Sequence, residues 1–157
     1  MQGFNIAEGG HVVNVLPPIS VAGGVTGDRF QMKNYAHATI IVQIGVTAEA
    51  AEKIIVRECD AATGGTATDI AFNVYKEETD SGDTLGARTE IAATGLTPPD
   101  TDNIFYVIEI DARELSDGYK WIEIAIQAGT GASVLMSVVA ILSGSRFAHT
   151  QNETAIA

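Results

Sequence analysis

The side chains best suited to chemistry are scattered. Three histidines, His11, His37 and His149, stand far apart, and none has a His or Cys neighbour at the spacing of a zinc site. Each is expected as a solvated or hydrogen-bonded residue at a strand end. The single cysteine, Cys59, excludes an internal disulfide and falls in a strand-like pattern, where a thiol packs as a small apolar side chain. Carboxylates are more plentiful. Glu77, Glu78, Asp80 and Asp83 crowd one Ser-Gly-Asp loop, and hard cations such as Ca²⁺ take oxygen ligands of this type. The spacing does not match an EF-hand, so solvated loop carboxylates are the expected reading there and at Asp100 and Asp102. Glu109 and Asp111 share one face of a strand, with Glu123 on a strand that could lie nearby. Paired carboxylates can run glycoside hydrolysis, but carbohydrate clefts are usually aromatic and the chain has one tryptophan, Trp121. Gly9-Gly10, Gly23-Gly24 and Gly64-Gly65 lack the following helix that a phosphate loop needs. The expectation is therefore a protein that is not an enzyme and uses no metal and no cofactor.

Residues suited to recognition form a second set. Trp121 and Tyr119 lie opposite the face made by Ile122, Ile124 and Ile126, and both residue types are enriched at binding hot spots. Arg146 and Phe147 stand out on a polar tail, and Phe4 and Ile6 are the apolar points of a Gly-containing lead. In Ser133–Gly144, SVLMSVVAILSG, one face carries Val134, Met136, Val138, Ala140 and Leu142, and the other carries Leu135, Val139 and Ile141. A strand wet on one side alternates apolar and polar residues. This one does not, so its second face needs cover from a core or from another subunit. The expected protein-interface set is Phe4, Ile6, Tyr119, Trp121, Leu135, Val139, Ile141, Arg146 and Phe147.

The elements that position these residues read as strands. Thr39–Val46, Glu52–Cys59, Thr66–Lys76, Asn103–Asp111 and Tyr119–Ala128 show period-2 alternation with Gly, Pro, Asn or Asp between them. His11–Leu16 is expected to stop at Pro17-Pro18, and Asn34-Tyr35-Ala36 to turn. Most connections are too short for the helical crossovers of a parallel sheet. The fold class is all-β: an antiparallel β-sandwich, jelly-roll-like or immunoglobulin-like, with extended N- and C-terminal arms. The divisions are 1–27, an N-terminal arm with short strands; 28–144, the sandwich; and 145–157, a C-terminal tail. The predicted core is Ile40, Val42, Ile44, Ile54, Val56, Phe72, Tyr106, Ile108, Ile122, Ile124, Val138 and Ala140.

Composition narrows the partners. The 157 residues carry 20 acidic and 9 basic side chains, for a net charge of −11. The basic residues are dispersed, whereas phosphate binding needs them clustered. No nucleic-acid partner and no anionic membrane are expected. No apolar run approaches a membrane span, and Met1–Gly10 has neither the basic nor the apolar region of a signal peptide. Synthesis in a cytoplasm without export is the expectation.

Three stretches carry a family likeness: Lys33–Val42 (KNYAHATIIV), Tyr106–Asp111 (YVIEID) and Ala140–Phe147 (AILSGSRF). Together and in this order they resemble small structural proteins from the head modules of tailed bacteriophages, over about 28–147. The resemblance implies a capsid decoration, or cement, protein: a β-sandwich bound to the major capsid protein on the outer capsid surface of the virion, often as a homotrimer. Alternatives are another phage structural protein, such as a tail tube or head–tail connector, and a lectin-like β-sandwich binding module.

Overall fold

A computed structural model describes residues 5–47, 53–77, 84–99, 102–128 and 134–146. A helical turn, α1 (Ile6–Gly9), precedes β1 (His11–Ser20), β2 (Val25–Thr26), β3 (Phe30–Gln31) and β4 (Tyr35–Thr47). Then come β5 (Ile54–Cys59), β6 (Ala67–Ile70), β7 (Phe72–Lys76), β8 (Thr89–Ile91) and β9 (Ile104–Asp111). A 3₁₀ turn, Ala112–Glu114, leads to β10 (Trp121–Ile126) and β11 (Val134–Ser145). One sheet has six strands in the order β1-β11-β4-β9-β7-β8. The other runs β2-β10-β5-β6, with β3 also beside β10. Every pairing is antiparallel. This is the expected all-β sandwich.

Alternation builds the core. In β9, Ile104, Tyr106, Ile108 and Ile110 are buried while the residues between them are half-buried. Every residue predicted for the core is in the buried cluster between the sheets, joined by Val13, Val15, Phe30, Met32 and Leu142 among others. The alternation thus sets which face of each strand looks inward.

Three strand boundaries depart furthest from expectation. β1 runs through Pro17-Pro18 to Ser20. It can do so because it is an edge strand, where a proline's missing N–H can face solvent. Its register shifts between Asn14 and Leu16 and again between Leu16 and Ile19. β4 starts at Tyr35, because its pairing with β11 extends to Tyr35↔Ser145. The run 66–76 is two strands rather than one. β6 pairs with β5 in the smaller sheet and β7 with β9 in the larger, so the chain changes sheet at Ala71.

The two outer faces differ in cover. On the smaller sheet the outward positions Ile55, Cys59, Trp121, Glu123 and Ala125 are nevertheless buried. Arg29 reaches over them and donates from Nη1 to the carbonyls of Ala61 and Gly64, at 2.9 and 2.6 Å. Gly95 closes over Ile55 with φ +89°, and a Cβ there would come within 2.7 Å of the Ile54 carbonyl oxygen and 2.8 Å of Ile55 Cγ1. Only glycine fits both that backbone and that gap. Burial pushes the Cys59 thiol up to about 11, so it stays protonated and unreactive at neutral pH. The larger sheet has no comparable lid among the described residues.

Candidate interaction surface

Strand register sets the outer face of the six-stranded sheet as a grid. One cross-strand row reads Asn14, Val139, Ile41, Val107, Tyr75. The next reads Val12, Ile141, Thr39, Glu109, Asn73. Beyond it lie Ser143, His37 and Asp111, and on the opposite side Ser137, Gln43 and Phe105. The face therefore grades from an apolar middle to a charged end.

Leu135 stands out at the opposite end. The β4–β11 register shifts between Val134 and Met136, where Gly45 and Val46 of β4 stand opposite Leu135 alone, so the extra residue of the bulge is on β4. Leu135 projects beside Gly45, where an added Cβ would lie 3.3 Å from its own Cβ. It is 48% exposed, and Val12 on the edge strand is 52% exposed. Pro18, Gln43, Phe105 and Leu135 help line a shallow depression of about 280 Å³.

The charged end is a bonded cluster. His37 Nε2 lies 2.6 Å from Glu109 Oε2, and Nδ1 lies 3.0 Å from Asp111 Oδ1. Thr39 donates its hydroxyl to the same Glu109 oxygen at 2.7 Å. Arg113 donates to Asp111 Oδ2 at 3.1 Å, and Glu114 accepts from the Asp111 N–H at 2.8 Å. Asn73, Tyr75 and Arg88 complete a depression of about 330 Å³ around this cluster. Burial opposes charging of His37, but the bonds to Asp111 and Glu109 outweigh it and hold its pKa above the ordinary 6.5. The bonds to His37 and Arg113 hold Asp111 below the ordinary 3.8.

The expected interface residues distribute unevenly. Leu135, Val139 and Ile141 lie together on this face, exposed for the first and half-buried for the others. Ile6 is on α1, which packs beside β11; Gly10 sits so close that a Cβ would meet Ile141 Cγ2 at 3.1 Å. Ile6 itself is 38% exposed. Trp121 points away from the core as its position in β10 implies, but it is sealed on the smaller sheet and only 8% exposed. Tyr119 and Arg146 instead line one small depression with Met32, Lys33, Ala112 and Leu115. Phe4 and Phe147 lie outside the described residues.

The carboxylates also separate. Glu123 is on the smaller sheet opposite Arg57, whereas Glu109 and Asp111 are on the larger one. Glu77 is buried and accepts from the Phe105 N–H at 3.1 Å, so it is a structural acceptor rather than a solvated loop residue. Glu78, Asp80, Asp83 and Asp100 lie outside the described residues. Among the described residues, no group of three or more His, Cys, Asp or Glu side chains is placed to hold a metal ion. Thermal melting with and without EDTA is expected to superimpose, and a large fall in Tm on chelation would restore a cation to the acidic loop.

The His37 cluster escaped sequence reading because its partners are 72 and 74 residues apart. The usable signal is register. Once Ile40 is set opposite Ile108, His37 must face Asp111.

The sequence matches no family model and no curated protein. The fold is similar to the crystal structure of the SPBc2 prophage-derived protein YomS, with a TM-score of 0.51 and 12% identity, over 86% of this chain and 93% of that one. The likeness is one of fold. Among the described residues no helix is long and apolar enough to cross a membrane.

Proposed function

We propose that this chain is a structural protein of a bacteriophage virion that decorates the outer capsid surface, bound to the major capsid protein as a homo-oligomer, a trimer by the resemblance. The observation that carries the reading is the outer face of the six-stranded sheet, which no described loop covers. It presents Val12 and Leu135 half exposed, with Ile41, Val107 and Val139 half-buried behind them. The opposite outer face is closed by the chain's own loops. An apolar face left open while its counterpart is sealed marks a protein contact. The prophage origin of a protein with this fold supports the phage setting. The net charge of −11 suits a position away from packaged DNA.

The test is co-sedimentation of the purified chain with undecorated phage heads, followed by electron microscopy. Wild type should pellet with the heads and appear on their outer surface. Leu135→Asp and Val12→Asp should each change folding stability by no more than about 0.5 kcal/mol, as surface substitutions do, yet abolish attachment. Removing 147–157 tests whether the C-terminal arm contributes. Rings or tubes formed without a shell would replace this reading with a tail-tube one. A monomer that binds no capsid would overturn it.

A further inference from the structure

We propose that His37 is a proton-operated clip between β4 and β9: doubly protonated, it binds Glu109 and Asp111 at once, and on losing a proton it lets one of them go. A neutral imidazole has one N–H and one lone pair. Here both ring nitrogens face carboxylate oxygens, at 2.6 and 3.0 Å. Each contact needs a proton between the two atoms. Glu109 Oε2 already accepts from the Thr39 hydroxyl, and Asp111 accepts from Arg113 through its other oxygen. Carboxylates that accept so fully are ionised. The protons therefore sit on the ring, and His37 is an imidazolium.

No other described group competes for the ring. On β11 the residue opposite His37 is Ser143, which is uncharged. From β9 the facing charges are Glu109 and Asp111, and from the following 3₁₀ turn Arg113 and Glu114. Asn73 and Tyr75 of β7 and Arg88 before β8 close the depression. Deprotonation removes a charge-assisted bond and leaves two carboxylates on adjacent outward positions of one strand, with only the exposed Arg113 on the far oxygen of Asp111 to offset them. Their repulsion is felt where β9 passes into the 3₁₀ turn.

The pH window follows from the two shifts. The raised His37 contribution is fully present below the ordinary 6.5 and is lost as pH rises through the folded-state value above it. The lowered Asp111 contribution is present above 3.8 and is lost as pH falls through the folded-state value beneath it. The clip is fully closed between those limits.

The test is a ¹⁵N-detected titration of the imidazole rings in the intact chain. His37 should show both nitrogens protonated near pH 6.5 and titrate at higher pH than a histidine in an unfolded peptide. Glu109→Gln and Asp111→Asn should each move its midpoint down. The fall in wild-type Tm across the same titration should vanish in His37→Gln. A His37 ring that is neutral at pH 6.5, or a midpoint indifferent to both substitutions, overturns the clip. The wild-type titration decides the matter even if a variant fails to fold.

Discussion

Arg29→Ala is expected to destabilise the fold by about 3–5 kcal/mol, the usual penalty for stranding a buried charge. Arg29 donates from Nε to Glu123 Oε2 at 2.7 Å, and the two side chains are 13% and 7% exposed. Its Nη1 also holds the Ala61 and Gly64 carbonyls. Removing the guanidinium leaves Glu123 inside the smaller sheet's cover with only Arg57, whose Nη1 is 3.3 Å away and which is already engaged by Asp69 at 2.8 Å. The 61–64 loop loses its anchor in the same step. Arg29→Lys should not rescue, because an ammonium lacks the planar fork that serves a carboxylate and two carbonyls together. Arg29→Met combined with Glu123→Met should recover most of the loss, since well-packed apolar side chains replace buried ion pairs at little cost. Urea unfolding of the four proteins checks this. A loss below about 1 kcal/mol for Arg29→Ala would show that the pair does not close this face, given that buried pairs respond strongly to losing one partner.

This network shows where sequence reading runs out. Alternation placed Ile122, Ile124 and Ile126 inward, and so placed Trp121 and Glu123 outward. It did not show that a loop would return over them. Arg29 lies 94 residues from Glu123, and no periodic pattern links a loop arginine to a distant strand. Trp121 looked like an interface anchor for the same reason: one sequence shows which side of a sheet a residue takes, not what later covers that side. The limit is different at Ala71. Period-2 alternation is continuous through 66–76, yet β6 and β7 belong to different sheets. A strand that changes sheets keeps its in-and-out pattern, so hydropathy alone does not mark the crossing. The outer face of the larger sheet was the most legible part of the candidate surface. Leu135, Val139 and Ile141 break the alternation that a solvated strand would keep, and they lie on the face that has no lid among the described residues.

The complementary experiment is on the inward side of β10, the strand that carries Glu123. Ile124→Ala should cost about 2–5 kcal/mol, the range for removing a buried isoleucine side chain beyond Cβ, out of the roughly 5–15 kcal/mol that a domain of this kind has in total. Ile124 is 1% exposed and pairs with Val56, itself fully buried, in the middle of β10. Sheet-on-sheet packing has little freedom to collapse into the void, because each backbone is held by strands on both sides, β2 and β5 in this case. The loss should therefore fall in the upper half of the range and lower Tm by roughly 2–4 °C per kcal/mol, as for other chains of this size. Ile124→Val, which removes one methylene and keeps the branched shape, should cost only about 0.5–1.5 kcal/mol. Leu135→Ala removes a similar amount of apolar side chain from a site that is 48% exposed. It should sit within about 0.5 kcal/mol of wild type. The contrast between Ile124 and Leu135 separates a core position from an apolar residue that is not needed for folding. If the two cost the same, Leu135 belongs to the folding core, and the open face loses its standing as a docking surface.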